Sequence, residues 1–209
     1  MSYKALENPF ELLTGQSKKR ELKSAFVSVM EQKELRVQTI SRYLLQVHGL
    51  EITPNSTDEE INRLPSMIAS LGGLITLTAE QFASAHQRSK PEVIEVMFKL
   101  GHTKEPDAMT RNMIFDAALL WGELFRNRYP GAKWELAREP RSSIYYGDPV
   151  LISAERTRAE FDPKVDLTGF VCGILLNEPD SWTLTKIMKF RAFDMGLGPE
   201  PGPEDQRIW

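Results

Sequence analysis

Apolar side chains recur at steps of three and four over the first 130 residues, the period of helices packed on one face. An opening signal, Asn8-Pro9-Phe10-Glu11, pairs a capping residue with a proline at the first helical position, and Gly15 then ends the turn. The longest run spans about Lys18 to His48, with Leu22, Phe26, Val29 and Met30 followed by Val37, Ile40, Leu44 and Val47. The second group steps by three, four and three residues, a narrow seam suited to a helix partner. Ser17 is placed to cap this segment, and Gly49 falls at its C′ position. Gln32-Lys33-Glu34 interrupts the stripe, so the segment reads as one long helix or as two with a break. Phe26, Ile40 and Leu44 are its predicted buried positions.

Thr57 followed by Glu60 has capping-box spacing and opens a helix through Ile61, Leu64, Ile68 and Leu71, with Pro65 placed to kink or split it. Gly72-Gly73 closes it. Thr78 opens a further segment through Phe82 and Ala85, and Lys90-Pro91 another through Val93, Met97 and Leu100. The strongest helix starts at Asp107 or Thr110. Its apolar set (Met113, Ile114, Ala117, Leu120, Trp121, Leu124 and Phe125 among them) covers most of the circumference, the mark of a central, buried helix. Arg126 and Arg128 favour its C-terminal dipole, and Pro130-Gly131 stops it. Trp121 is read as a core residue and Gly122 as a point of close helix contact.

The pattern changes after Gly131. Lys133-Trp134-Glu135-Leu136-Ala137 alternates as a half-buried strand does, and Ile144-Tyr145-Tyr146 and Val150-Leu151-Ile152 read as short strands around Gly147-Asp148-Pro149. Helices resume at Asp162-Pro163 and at Ser181 to Met195. The expected fold is α+β, mostly α: N-terminal helices, a central buried helix, a small antiparallel sheet and two C-terminal helices. Residues 1–56 form a helical N-terminal segment suited to a specific partner, 57–196 the main α+β domain, and 197–209 a mobile Pro-rich tail whose Ile208-Trp209 is apolar enough to dock.

Composition narrows the function classes. The 209 residues carry 26 Lys plus Arg against 29 Asp plus Glu, so a basic nucleic-acid footprint is missing. The first 50 residues, with 8 basic against 5 acidic groups, are only mildly positive. No apolar run reaches the ~18 residues of a membrane span, and Met1-Ser2-Tyr3-Lys4 lacks a signal-peptide core, which points to the cytoplasm. One cysteine allows no internal disulfide, and Cys172, among Val171 and Ile174, reads as a buried core thiol. His48, His86 and His102 lack ligand spacing, so neither metal nor cofactor is expected. Nucleophile-elbow and phosphate-loop motifs do not occur. Asp116 and Glu123, seven residues apart, share a face of the central helix. They read as a buried general acid or, preferably, as a strip in which Glu123 pairs with Arg126 or Arg128. Tyr145, Tyr146 and Trp182, with Arg141 and Arg156 nearby, are the residue types of binding hot spots and are the candidate partner-binding set.

Trp121-Gly122-Glu123-Leu124, Gly131, Trp134-Glu135-Leu136, Pro149-Val150-Leu151 and Phe161-Asp162-Pro163 together resemble a loosely defined group of bacterial cytosolic proteins. Several of that group are immunity or accessory proteins near polymorphic-toxin or secretion-effector loci. The resemblance spans about residues 57–180 and carries no catalytic residues. It implies a protein-binding module that neutralises a cognate toxin or effector without turnover of its own. Two alternatives stand beside it: an enzyme using a carboxylate or histidine in a pocket between elements, and a structural or adaptor oligomer. A second copy docked along the Lys18–His48 helix is a further expected contact.

Overall fold

The structure, a computed structural model, describes residues 3–6, 8–10, 17–53, 55–85, 95, 103–137, 147–155, 159–178 and 181–205. Helix α1 (Lys19–His48) runs unbroken through Gln32-Lys33-Glu34. The interruption is filled by polar contacts: Gln32 accepts from Arg36 at 3.2 Å, and Lys33 pairs with Glu123 at 2.8 Å. The N-cap is Lys18 rather than Ser17, because Glu21 reaches back to the Lys18 backbone N–H at 2.7 Å. Gly49 closes the helix at φ +68°, a conformation that favours glycine. Ile40 and Leu44 are fully buried, whereas Phe26 is only half-buried.

Pro65 splits the next unit into α2 (Asp58–Asn62) and α3 (Leu64–Ala69), with the Thr57/Glu60 capping box in place. The sequence pattern gave no sign of β1 (Leu74–Thr76) and β2 (Lys104–Pro106), which pair antiparallel on either side of α4 (Ala79–Ala85). The segment opened by Lys90-Pro91 lies outside the described residues apart from residue 95. Helix α5 (Ala108–Arg128) is the buried centre, with 13 of its 21 residues buried. Asp107 caps it, accepting from the Thr110 N–H at 2.7 Å. The Thr110 hydroxyl takes up the Gly73 N–H at 2.8 Å, tying the sheet to the helix start.

A three-stranded antiparallel sheet follows: β3 (Ala132–Leu136), β4 (Pro149–Ser153) and β5 (Glu160–Phe161), in that order. The pairing Trp134 to Leu151 sets the register. The expected strand at Ile144-Tyr145-Tyr146 lies outside the described residues. Helices α6 (Pro163–Leu175) and α7 (Leu184–Asp194) complete the fold, giving a mostly helical α+β protein with small antiparallel sheets.

Among the described residues a main core joins α1, α2, α3, α5, β3–β5, α6 and α7, with a smaller cluster of Val29, Phe115 and Leu119 beside it. The main core runs from Tyr3 through Ile40 and Leu44 of α1, Ile68 of α3, α5 and Phe161 to Met188 and Met195. Tyr3, Ile40, Tyr43, Leu44 and Ile52 from the N-terminal segment therefore pack into the same core as α3, α5 and α7. The expected mobile tail is instead packed as far as residue 205: Leu197 N–H reaches the Ala192 carbonyl, Pro201 is buried, and Lys189 pairs with Asp205 at 2.9 Å. Ile208-Trp209 lies outside the described residues. Gly122 is a close-contact point, but against the ring of Trp134 in β3 rather than against a helix. Any Cβ there would overlap that indole.

Candidate functional site

Four of the five candidate partner-binding residues, Arg141, Tyr145, Tyr146 and Arg156, fall outside the described residues. The fifth, Trp182, is described. It precedes α7 and lies against Phe190, with ring centroids 4.9 Å apart and planes tilted by 36°, and both rings remain partly exposed. The platform beneath them is fixed. Thr183 caps α7, and Thr185 is bound through its N–H and hydroxyl to Asn62 of α2 at 3.0 and 3.1 Å. Met188 and Ala192 bury the opposite side of the helix. A Trp–Phe pair on a rigid helix presents large apolar area at low entropic cost, as protein-binding anchors do.

The two carboxylates of α5 meet different surroundings despite sharing a helix face. Asp116 is buried. Its Oδ2 accepts from the Tyr3 hydroxyl at 2.5 Å and its Oδ1 from Arg36 at 2.8 Å, with both ion-pair partners 1% exposed. Burial pushes the Asp116 carboxyl up, outweighing the hydrogen bonds from Tyr3 and Arg36, and burial together with the Asp116 charge raises the Tyr3 hydroxyl. With one donor on each oxygen, this group ties Tyr3 of the N-terminal segment to α1 and α5.

Glu123 sits nearer the surface and accepts from Lys33 at 2.8 Å, Trp134 Nε1 at 2.6 Å and Arg126 at 2.9 and 3.0 Å. Burial raises its carboxyl, but these donors outweigh burial and hold it below the ordinary range. The predicted pairing with Arg126 is therefore present, while Arg128 instead reaches Asp58 at 2.6 Å. Glu123 borders a cleft of about 310 Å³ between α1, residues 51–53 and α5, floored by Val37, Ile52, Leu120 and Leu124.

A third carboxylate, read from sequence only as part of a helix start, has an unusual environment. Asp162 is 2% exposed and accepts from the N–H groups of Lys164 and Val165 through Oδ1, while its buried Oδ2 has no partner among the described residues. Burial, and then the neighbouring Asp148 charge, push it up to about 7, against the pull of Lys164 and the two N–H groups. The unfolded chain releases this proton near the ordinary value of 3.8. The folded state thus holds the extra proton between those limits, and the stability that goes with it is present below pH ~4 and lost as pH rises through ~7. We expect Asp162→Asn to remove a pH-dependent loss of up to about 4 kcal/mol across that window, read from urea midpoints at pH 4, 5.5, 7 and 8. Parallel profiles for the two proteins would contradict this.

Cys172 is half-buried rather than buried, and burial followed by the Glu105 charge raises its thiol. His48 Nε2 lies 3.2 Å from the Met67 carbonyl, while His86 and His102 lie outside the described residues. Among the described residues no three His, Cys, Asp or Glu side chains gather where they could hold a metal ion, and no helix is long and apolar enough to cross a membrane. A scan against protein-family models and searches of curated proteins and of solved structures found no match to this chain.

Proposed function

We propose that this protein works by binding another protein, as a cytoplasmic immunity- or inhibitor-type module that neutralises a cognate bacterial toxin or effector. The observation that supports this reading is the partly exposed Trp182–Phe190 pair, carried on a helix that Asn62 and the core hold in place. The resemblance of residues 57–180 to immunity and accessory proteins points the same way. An inhibitor of this kind needs a surface of roughly 800 Å² on its own side and no reacting groups. The test is affinity capture of the full chain from its native cell, followed by co-expression with the captured partner. A stoichiometric partner whose toxicity is relieved supports the proposal, and Trp182→Ala should then weaken binding about 30-fold or more.

The cleft beside Glu123 supports a second reading, an enzyme that uses this carboxylate as a base. If no partner is captured and a substrate screen finds turnover that Glu123→Gln abolishes, that reading replaces the first.

A further inference from the structure

The outward face of α1 carries a pattern that its inward face does not explain. Leu22, Ala25, Val29, Arg36, Ile40, Tyr43 and Leu44 face the core. At 100° per residue, Val27, Glu31, Leu35, Gln38, Arg42 and Leu45 form one stripe on the opposite side, at steps of four, four, three, four and three. All six are exposed, Gln38, Arg42 and Leu45 along the rim of the Glu123 cleft, and Leu35 (54%), Val27 (44%) and Leu45 (40%) are large apolar side chains. Neither Glu31 nor Arg42 has an ion-pair partner among the described residues.

The stripe is complementary to itself when reversed. Set antiparallel about a two-fold axis between residues 36 and 37, Val27 meets Leu45 of a second copy and Glu31 meets Arg42 of that copy. Leu35 meets Gln38 of that copy, and the two Leu35 side chains lie diagonally across the axis, about 4.5 Å apart along the helix at 1.5 Å per residue. Residues 27 to 45 span about 27 Å at 1.5 Å per residue, so two such pairs of contacts lie on each side of the axis. A parallel arrangement in register would instead set Glu31 against Glu31 and Arg42 against Arg42, which like charges oppose. We propose that α1 is the interface of an isologous, antiparallel homodimer, with Glu31–Arg42 ion pairs across it and Leu35 at its centre. This surface is distinct from the Trp182–Phe190 face, so either proposal can fail without the other.

Sedimentation equilibrium of the full chain over a range of micromolar concentrations tests it. The wild type should dimerise, less tightly at high salt. Glu31→Arg and Arg42→Glu should each weaken self-association at least tenfold, because each sets like charges face to face. The two single variants mixed together should form a heterodimer, and the doubly reversed chain should dimerise with itself again. Both positions are exposed, and unchanged thermal melting of the variants checks that they fold. Leu35→Cys in a Cys172→Ser background should give a covalent dimer on oxidation. A chain that stays monomeric overturns the proposal, as does a dimer that neither reversal weakens. So does a monomer whose α1 is protected from hydrogen exchange only in complex with a captured partner, which would assign this face to that partner.

Discussion

Trp121→Ala should lower the unfolding free energy by about 3–5 kcal/mol, the range seen when a large core side chain is truncated. Trp121 is fully buried at the middle of α5, its ring edge-on to Phe161 with centroids 5.0 Å apart and at 85°. Phe161 in turn lies 5.0 Å from Phe125, so the indole joins α5 to the β5 strand through a chain of rings. Neighbours bound into the same cluster have little room to collapse into the space left behind, which places the expected loss at the upper end. The indole N–H is buried without a hydrogen-bond partner among the described residues. Trp121→Phe therefore removes an unpaired donor along with volume and should lose much less than the alanine variant. Urea denaturation with a constant m-value measures both. A midpoint unchanged in Trp121→Ala would mean that the cluster does not hold α5 in place.

The parts of the fold legible in the sequence are those whose cause is local. The all-round apolar α5 and its Asp107 cap, the Thr57/Glu60 box and the Gly49 stop each depend on residues within one or two turns. The β1–β2 pairing depends on contacts between Leu74 and Pro106, in strands too short to show alternation. Two-residue β5 shows none either. The Asp116 tie needs Arg36 from 80 residues away and Tyr3 from 113 residues away, a juxtaposition no spacing rule reveals. One signal was nonetheless present. Leu22, Val29, Arg36 and Tyr43 fall at seven-residue steps, and all four are buried. An arginine in phase with core positions needs an acidic partner inside. The nearest carboxylate on a face of the same kind was Asp116, in the most apolar helix of the chain. Asp162 was legible as part of a helix start and not as a raised carboxyl, because the burial that raises it, and then the Asp148 charge, come from other parts of the chain.

That buried tie sets the second large expectation. Arg36→Met should destabilise the fold by about 3–5 kcal/mol, because it leaves the Asp116 carboxylate desolvated without its cation. Arg36 also donates to the Leu6 carbonyl at 3.4 Å and lies over the Phe115 ring at 5.5 Å, so its loss loosens the N-terminal segment as well. Tyr3, which stacks on Tyr43 with centroids 5.0 Å apart, should become accessible in the same variant. Burial already pushes the Asp116 carboxyl up, and in Arg36→Met it should take up a proton at neutral pH, so stability should recover partly as pH falls. The discriminating protein is the triple variant Tyr3→Phe, Arg36→Met, Asp116→Leu, in which no buried charge is stranded. A well-packed apolar replacement of a buried ion pair is often neutral or stabilising. Urea midpoints should therefore place the triple variant close to the wild type and well above Arg36→Met alone. If the triple variant is as unstable as the single one, the cluster's contribution lies in the shape of its side chains and not in the pairing of its charges.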